Sequence, residues 1–205
     1  PRGFPECFHN DSLSNVMRSV KFSFDNHRPV ILIGSEGSGL TQVAYWIAER
    51  HNLYGRFSKI EAKFLFMCTE ETKNSDLIGQ YKPSNHLNSS DISNIEPIEW
   101  ANGLLPNAVE NGFCIVLDNI DQAPTTVSER INGLLDKKFD DKDKENYVFE
   151  IPENPKKPKI PINQDFRLIC TCKKDNLNQM SPAFINRFDV IFLEDQTTKD
   201  ETQFK

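Results

Sequence analysis

The chain lacks an apolar run long enough to cross a membrane, and it lacks an excess of positive charge. A membrane-spanning helix needs about 20 consecutive apolar residues, and no segment of the 205 residues approaches that length. The 24 Lys and Arg are outnumbered by 30 Asp and Glu, which gives a net charge of −6. Nucleic-acid-binding domains usually carry a basic patch. The charge balance therefore argues against direct binding of nucleic acid, and no secretory signal pattern is found in the sequence.

Cysteine and histidine are too few and too scattered for a disulfide framework or a metal centre. The five cysteines, an odd number, lie mostly in apolar runs: Cys7, Cys68, Cys114, Cys170 and Cys172. The four histidines are scattered. We therefore expect reduced core thiols in a reducing compartment, which means an intracellular protein, nuclear or cytoplasmic.

Short apolar runs alternate with helical patterns, which is typical of an α/β fold with a parallel sheet and crossover helices. We predict sheet strands at residues 30–33, 62–68, 113–118, 166–172 and 189–193. Helices are predicted at 13–24 (capped by Asp11 or Ser12), 41–51, 100–111, 124–135 and 182–186. Residues 147–162 predict two short strands around a Pro/Lys turn, hence a β-hairpin before the fourth strand.

These patterns predict one large α/β unit with short flanking segments. We expect an N-terminal extension at 1–12, the α/β unit at 13–195 and a polar tail at 196–205. Within the unit, the Asn- and Ser-rich residues 83–94 predict a mobile loop, and residues 137–164 form a charged loop followed by the hairpin. The chain starts without Met and ends in the polar tail, so we expect an excised piece of a larger protein.

A glycine-rich stretch between the first strand and the next helix carries the main functional signal. In "ILIGSEGSGLTQ", residues 31–42, the P-loop pattern G-x-x-x-x-G-K-[ST] is filled by Gly34, Gly39 and Thr41. Such a loop binds phosphate through backbone N–H groups and the positive end of the helix. The candidate nucleotide-binding residues are those of the whole loop: Gly34, Ser35, Glu36, Gly37, Ser38, Gly39, Leu40 and Thr41.

Leu40 stands in the position of the P-loop lysine. That lysine is the direct cation for the β- and γ-phosphates. Loss of a charge-assisted contact costs about 1.5–3 kcal/mol, or roughly ten- to a hundredfold in affinity. Two interpretations stay open: a loop with residual nucleotide binding, and a glycine-rich turn that serves only strand-to-helix packing.

Four further motifs follow the loop in a fixed order. They are "DLIGQY" (76–81), "LDNIDQAPTTVSERINGLLD" (117–136), "FRLICT" (166–171) and "SPAFINRF" (181–188). Together with the hairpin, this order resembles the AAA+ ATPases, and within them the dynein-related group of midasin-like and MoxR-type proteins. The resemblance covers residues 13 to 195.

The resemblance implies a P-loop NTPase fold of the AAA+ type. This fold is an αβα sandwich around a five-stranded parallel sheet in the order 5-1-4-3-2, and the modules form a six-membered ring that holds ATP at the module boundaries. A small helical lid follows the fifth strand in the family. Only a polar tail follows it here, so we expect the lid to be absent.

Two matched positions concern Mg²⁺ and the attacking water. Asp118 matches the family's Asp that holds Mg²⁺ through water, and Thr41 matches the hydroxyl that coordinates Mg²⁺. Asn119 occupies the position of the glutamate that activates water, and an amide cannot accept a proton. The alternative interpretation of Asp118 is a carboxylate that only caps a strand end.

Two further positions concern the γ-phosphate. Lys173 occupies the polar sensor position after the fourth strand, where its ammonium either reaches towards a γ-phosphate and offsets Leu40, or is a solvated loop charge. Arg187 matches the arginine that many AAA+ modules present in trans to a neighbour's ATP. Its alternative interpretation is a surface ion pair with Asp189 or Glu194.

The substitutions at Leu40, Asn119 and Lys173 together predict a degenerate AAA+ module. We expect weak or no binding of ATP and Mg²⁺, no hydrolysis, and a scaffold or regulatory role in a ring-shaped remodelling machine. The alternative is a functional ATPase module that neighbouring modules complete. The expected partners are adjacent AAA+ modules and a protein or complex to be remodelled. The isolated chain is expected to be a monomer with Arg187 exposed and unoccupied.

Overall fold

The computed structural model describes residues 11–54, 64–84, 98–137 and 147–194. The predicted tail at 196–205, most of the N-terminal extension, residues 85–94 of the predicted mobile loop and the charged segment 138–146 lie outside these residues. Among the described helices, none combines the length and apolar character needed to span a bilayer.

The described residues form nine strands and six helices. The strands are β1 (Val30–Gly34), β2 (Leu65–Met67), β3 (Gly79–Pro83), β4 (Ile98–Asn102), β5 (Cys114–Asp118), β6 (Val148–Glu150), β7 (Lys159–Pro161), β8 (Arg167–Lys173) and β9 (Asp189–Leu193). The helices are α1 (Asp11–Asp25), α2 (Leu40–Tyr54), α3 (Asn74–Ile78), α4 (Leu104–Asn111), α5 (Thr125–Leu135) and α6 (Pro182–Ile185). Short 3₁₀ turns follow β5 at Ile120–Gln122 and β8 at Lys174–Gln179.

Five parallel strands form the central sheet in the order β2-β5-β8-β1-β9. When only the strands of this sheet are counted along the chain, the order is 5-1-4-3-2, so the predicted α/β sandwich fold is confirmed. Ile31 lies beside Cys170, and Val116 lies beside Ile169. The ends of β1, β5 and β8 therefore meet at one edge of the sheet, where parallel α/β proteins bind their ligands.

The core consists of the central strands and the helix faces that cover them. Every residue of β1 and β5 is buried, as expected for parallel strands covered on both faces. Ala44, Ile47 and Ala48 recur at helical spacing and form the buried face of α2. Burial of a large aliphatic side chain such as Ile47 stabilises the fold by about 1.5–3 kcal/mol.

A buried amide fixes α2 against the neighbouring strand. Asn52 is 1% exposed. Its amide nitrogen donates to the carbonyl oxygen of Cys114 over 2.9 Å, and its amide oxygen accepts from the N–H of Cys114 over 2.7 Å. The helix that follows the glycine-rich loop is thus held in register with the strand that ends in Asp118.

The cysteines take part in packing. Four of them, Cys68, Cys114, Cys170 and Cys172, are buried free thiols, as predicted. Burial raises the pKa of the Cys68 thiol to about 12, with smaller contributions from Asp118 and Asp121. Cys7 lies outside the described residues.

A two-stranded antiparallel sheet outside the central sheet was not predicted, and we call it the β3–β4 ribbon. β3 and β4 pair antiparallel, with Tyr81 opposite Trp100 and their rings 5.3 Å apart. The predicted helix at 100–111 is therefore wrong at its start, because Trp100 belongs to β4 and α4 begins only at Leu104. The ribbon was missed because its strands are largely polar, exposed and distant in the sequence.

The base of this ribbon is closed by two glycines. Gly79 has a φ of +125°, and a Cβ there would lie 2.3 Å from the carbonyl oxygen of Ala101. A Cβ on Gly103 would lie 2.3 Å from the carbonyl oxygen of Leu77. Both positions require glycine, because no side chain can move a backbone carbonyl aside.

Two smaller predictions have different outcomes. The hairpin before the fourth strand is confirmed, since β6 and β7 pair antiparallel. The prediction that Asp11 or Ser12 caps α1 is wrong, because the helix already includes both residues.

Candidate functional site

The glycine-rich loop joins β1 to α2 at the carboxyl edge of the sheet. Gly37 and Gly39 have φ values of +81° and +83°, which L side chains rarely adopt. The N–H of Ser38 donates to the carbonyl oxygen of Ser35 over 3.2 Å, so the loop closes as a turn. α2 then begins at Leu40. The loop therefore has the backbone form that can wrap an anion at a helix N-terminus.

Leu40 turns back beneath the loop. Its side chain is partly buried against the core. Its Cδ2 lies 3.3 Å from the point that a Cβ on Gly34 would occupy, so the leucine fills space beside the start of the loop. The residue in the lysine position thus contributes apolar packing and no charge.

Thr41 and Asp118 meet at the base of the loop. The hydroxyl of Thr41 lies 2.9 Å and 3.1 Å from the two carboxylate oxygens of Asp118 and donates to them. Asp118 ends β5 and is 1% exposed. The two residues matched to Mg²⁺ coordination are therefore adjacent, although they lie 77 positions apart in the chain.

Thr171 completes this group and was missed by the sequence analysis. Its hydroxyl donates to Asp118 Oδ1 over 2.6 Å and accepts from the backbone N–H of Asn119 over 2.9 Å. A buried carboxylate is costly unless it is hydrogen-bonded, and the two threonine hydroxyls supply those bonds. The available signal was one polar residue inside the apolar run of β8. We call Thr41, Asp118 and Thr171 the hydroxyl–carboxylate corner.

The corner offers hard oxygen ligands, which Mg²⁺ prefers. No group of three or more His, Cys, Asp or Glu side chains suited to a metal occurs in the described parts of the chain. The residues present fit Mg²⁺ only as a partial site, with Thr41 and Asp118 on one side. Phosphate and water oxygens would have to supply the other ligands, because Mg²⁺ requires near-octahedral coordination.

Asn119 follows Asp118 in a left-handed conformation, with φ 54° and ψ 50°. Asparagine tolerates this region better than most residues. Its amide nitrogen lies 3.5 Å from Asp118 Oδ2, so the donor end of the side chain faces the carboxylate. An amide at this point can orient a neighbour but cannot take a proton from water.

Lys173 ends β8 directly beside the loop. It pairs in register with Gly34, and its ammonium donates to the Glu36 carboxylate over 3.0 Å. This hydrogen bond raises the pKa of Lys173. The Glu36 side chain is 82% exposed, so the ion pair lies at the rim of the loop. We call Glu36, Leu40 and Lys173 the loop rim.

Arg187 forms an ion pair, as its alternative interpretation predicted, but the partner is a different carboxylate. Its Nε donates to Asp136 Oδ1 over 2.6 Å and its Nη2 donates to Oδ2 over 3.1 Å. The predicted partner Asp189 instead pairs with Arg28 at 2.6 Å. The predicted partners were wrong because α6 packs near the end of α5, which places Asp136 within reach.

Hydrogen bonding to Arg187 lowers the pKa of Asp136, and hydrogen bonding to Asp136 raises the pKa of Arg187. Both directions favour the charged forms, so the pair is an ordinary ion pair at neutral pH.

The chain is similar to proteins of known family. Residues 29–188 match the family model described as AAA domain (dynein-related subfamily). The chain is 28% identical over 189 residues to midasin from Dictyostelium discoideum, which covers 90% of the chain and 3% of that protein. It is 31% identical over 125 residues to midasin from Giardia intestinalis, which covers 61% of the chain and 2% of that protein. The chain thus spans only a small part of these relatives.

Solved structures support the same fold. A crystal structure of NtrX from Brucella abortus matches with a TM-score of 0.53 at 11% identity, covering 92% of this chain and 37% of the other. A second NtrX crystal, in complex with ATP, matches with a TM-score of 0.53 at 12% identity, covering 91% and 36%. At this identity the likeness concerns the fold alone. Because the family model spans most of the chain, we conclude that the chain belongs to the dynein-related subfamily of AAA domains.

Proposed function

We propose that this chain is a degenerate AAA+ module of a larger, midasin-like protein, with weak ATP binding and no hydrolysis of its own. The observation that carries the proposal is Leu40, whose side chain packs beneath the loop where the family places a phosphate-binding lysine. Asn119 adds to it, because its amide cannot activate water. The module then acts as a scaffold or regulatory element among neighbouring AAA+ modules that remodel a protein or complex. We place it in an intracellular compartment.

ATP with Mg²⁺ is the ligand to test, since one similar NtrX crystal is a complex with ATP. The loop backbone would hold the phosphates, while Thr41 and Asp118 would face the metal. When bound, Mg²⁺ would neutralise phosphate charge. Asn119 would hold the corner in place without moving a proton.

Leu40→Lys tests the proposal directly. We expect the variant to bind Mg-ATP roughly ten- to a hundredfold more tightly than wild type, because one charge-assisted contact is restored. Isothermal titration calorimetry measures the difference. The matched control is Leu53→Lys, the same substitution at an exposed position of the same helix, and it should leave affinity unchanged. Low-micromolar affinity in wild type would overturn the proposal.

The same variant separates binding from hydrolysis. Phosphate release by Leu40→Lys should stay near background, because Asn119 cannot accept a proton from water. The double variant Leu40→Lys/Asn119→Glu should remain slow as well, because AAA+ sites are completed across a module boundary. Robust turnover by the wild-type chain would contradict the scaffold role.

A second candidate function is a module that works together with the ATP site of a neighbour. Arg187 favours it, because its side chain is 27% exposed and its ion pair with Asp136 lies at the surface, where pairs are weak enough to exchange. In a longer chain that contains the neighbouring modules, Arg187→Ala should lower ATP hydrolysis while Asp118→Ala does not. Arg28→Ala, which removes another surface ion pair, is the control. Equal activity of the Arg187 and Arg28 variants would reject this function.

A further inference from the structure

The loop rim contains a cation that the P-loop sequence itself does not supply. Residues 34–41 include no Lys or Arg. Lys173 lies on the adjacent strand, and its backbone is the register partner of Gly34, where the loop begins. Its ammonium reaches the loop, as its 3.0 Å contact with Glu36 shows.

A second observation points to a polar ligand at this loop. Ser38 Oγ is buried and has no hydrogen-bond partner within the described residues. It lies 2.8 Å from the point that a Cβ on Gly34 would occupy, so it folds back over the start of the loop. Buried polar atoms in proteins are nearly always paired with protein, water or ligand.

We infer that Lys173 is the phosphate-binding cation of this loop and that Glu36 is its built-in competitor. In this arrangement the Glu36 carboxylate occupies the ammonium until a phosphate group of a nucleoside triphosphate displaces it. The inference rests on the proposed function and states what determines the weak ATP affinity. Lys173 supplies the contact with phosphate, and Glu36 reduces the affinity by competing for the Lys173 ammonium.

The chemistry of the pair suits such an exchange. A lysine ammonium is a compact charge on a flexible four-carbon stem, so it can turn from one anion to another without a fixed geometry. The competing carboxylate is exposed, and exposed ion pairs stabilise little. A phosphate carries more charge than a carboxylate and is also met by the loop N–H groups. Glu36 additionally places a negative charge beside the incoming phosphate, which opposes binding until it moves away.

The first experiment compares wild type with Glu36→Gln, Lys173→Met and the double variant, using Mg-ATP and isothermal titration calorimetry. Glu36→Gln should bind about fivefold more tightly, which corresponds to the upper end of what an exposed ion pair is worth. Lys173→Met should bind more weakly than wild type. The double variant should bind nearly as weakly as Lys173→Met, because Glu36 acts mainly through Lys173 and its direct repulsion of phosphate is the smaller effect.

Two controls keep the result specific. Glu110→Gln also removes one negative charge from an exposed pair, with Lys157, at the end of α4 and outside the loop, and should leave affinity unchanged. Lys173→Met should also be made in the Leu40→Lys variant, whose affinity is high enough to measure, and should weaken its binding severalfold.

The outcomes distinguish this inference from the proposed function. Tight binding by wild type would overturn the proposed function, yet the inference would stand if Lys173→Met abolished that binding. Three results would show that the inference is wrong, whatever Leu40→Lys does. Glu36→Gln could leave the affinity unchanged, or it could raise the affinity by the same factor when residue 173 is Met as when it is Lys. It could also raise the affinity no more than Glu110→Gln does.

Discussion

The hydroxyl–carboxylate corner and the loop rim border the same loop but differ in burial and in how their charges are stabilised. At the corner, Asp118 is 1% exposed and two threonine hydroxyls donate to its carboxylate. At the rim, the Glu36 side chain is 82% exposed and holds Lys173 through one ion pair. A buried carboxylate that loses its partners incurs a large desolvation cost, whereas an exposed pair can be lost with little effect on stability.

This difference bears on the proposed function, in which the corner keeps the residues matched to the family and the rim does not. Asp118 and Thr41 contribute to folding as well as to any metal site, since each satisfies a buried polar group. Leu40 contributes apolar packing beside the start of the loop, which is compatible with folding. The loss of phosphate-binding residues at the rim that we propose is therefore compatible with an intact fold.

Thr171→Val should produce the largest effect on stability. The change leaves Asp118 with one fewer donor and the Asn119 N–H without its acceptor. The free energy of unfolding should fall by about 2–4 kcal/mol, from one charge-assisted bond and one unpaired N–H. Urea denaturation measures the change.

Two matched variants show whether the hydroxyl is responsible. Thr171→Ser keeps the hydroxyl and should retain most of the stability. Thr126→Val makes the same substitution at an exposed position in the first turn of α5 and should change the free energy by less than about 0.5 kcal/mol. Equal losses for Thr171→Val and Thr126→Val would show that the corner bonds contribute nothing to folding.

Glu36→Gln should produce the smallest effect on the same scale. Removing this carboxylate breaks only the exposed pair with Lys173, so the free energy of unfolding should change by less than about 0.5 kcal/mol. The measurement is again urea denaturation, at low and at high salt. A loss comparable with that of Thr171→Val would mean that the rim is structural, and the proposed contrast between the two regions would fail.

The sequence predicted the central sheet well because its signal is local. Continuous apolar runs at β1, β5 and β8 are buried between two layers, whereas the run at β9 forms a partly exposed edge strand, and the glycines of the loop mark its turn. Features that depend on distant partners were less accessible. The Arg187–Asp136 pair joins residues 51 positions apart, and nearer carboxylates such as Asp189 were equally plausible from the sequence.

The residues of the candidate site likewise divide into those that a motif predicted and those that depend on distant partners. Motif spacing placed Thr41, Asp118 and Lys173 near the loop, and the structure brings all three there. Thr171 and the Glu36 partner of Lys173 were not predicted, because neither role follows from a motif. Each arises from strand register: Thr171 lies on the strand next to β5, and Lys173 lies level with the start of the loop.

The glycine-closed base of the β3–β4 ribbon has a consequence for how this part of the chain can vary. Gly79 and Gly103 admit no side chain, since an added methyl group at either would meet a backbone carbonyl at 2.3 Å. The exposed positions of the ribbon face solvent and carry no such restriction. Substitutions at the exposed positions of the ribbon, including those around Tyr81, can therefore change its surface without moving its base. A single added carbon at Gly79 or Gly103 would instead displace the whole ribbon.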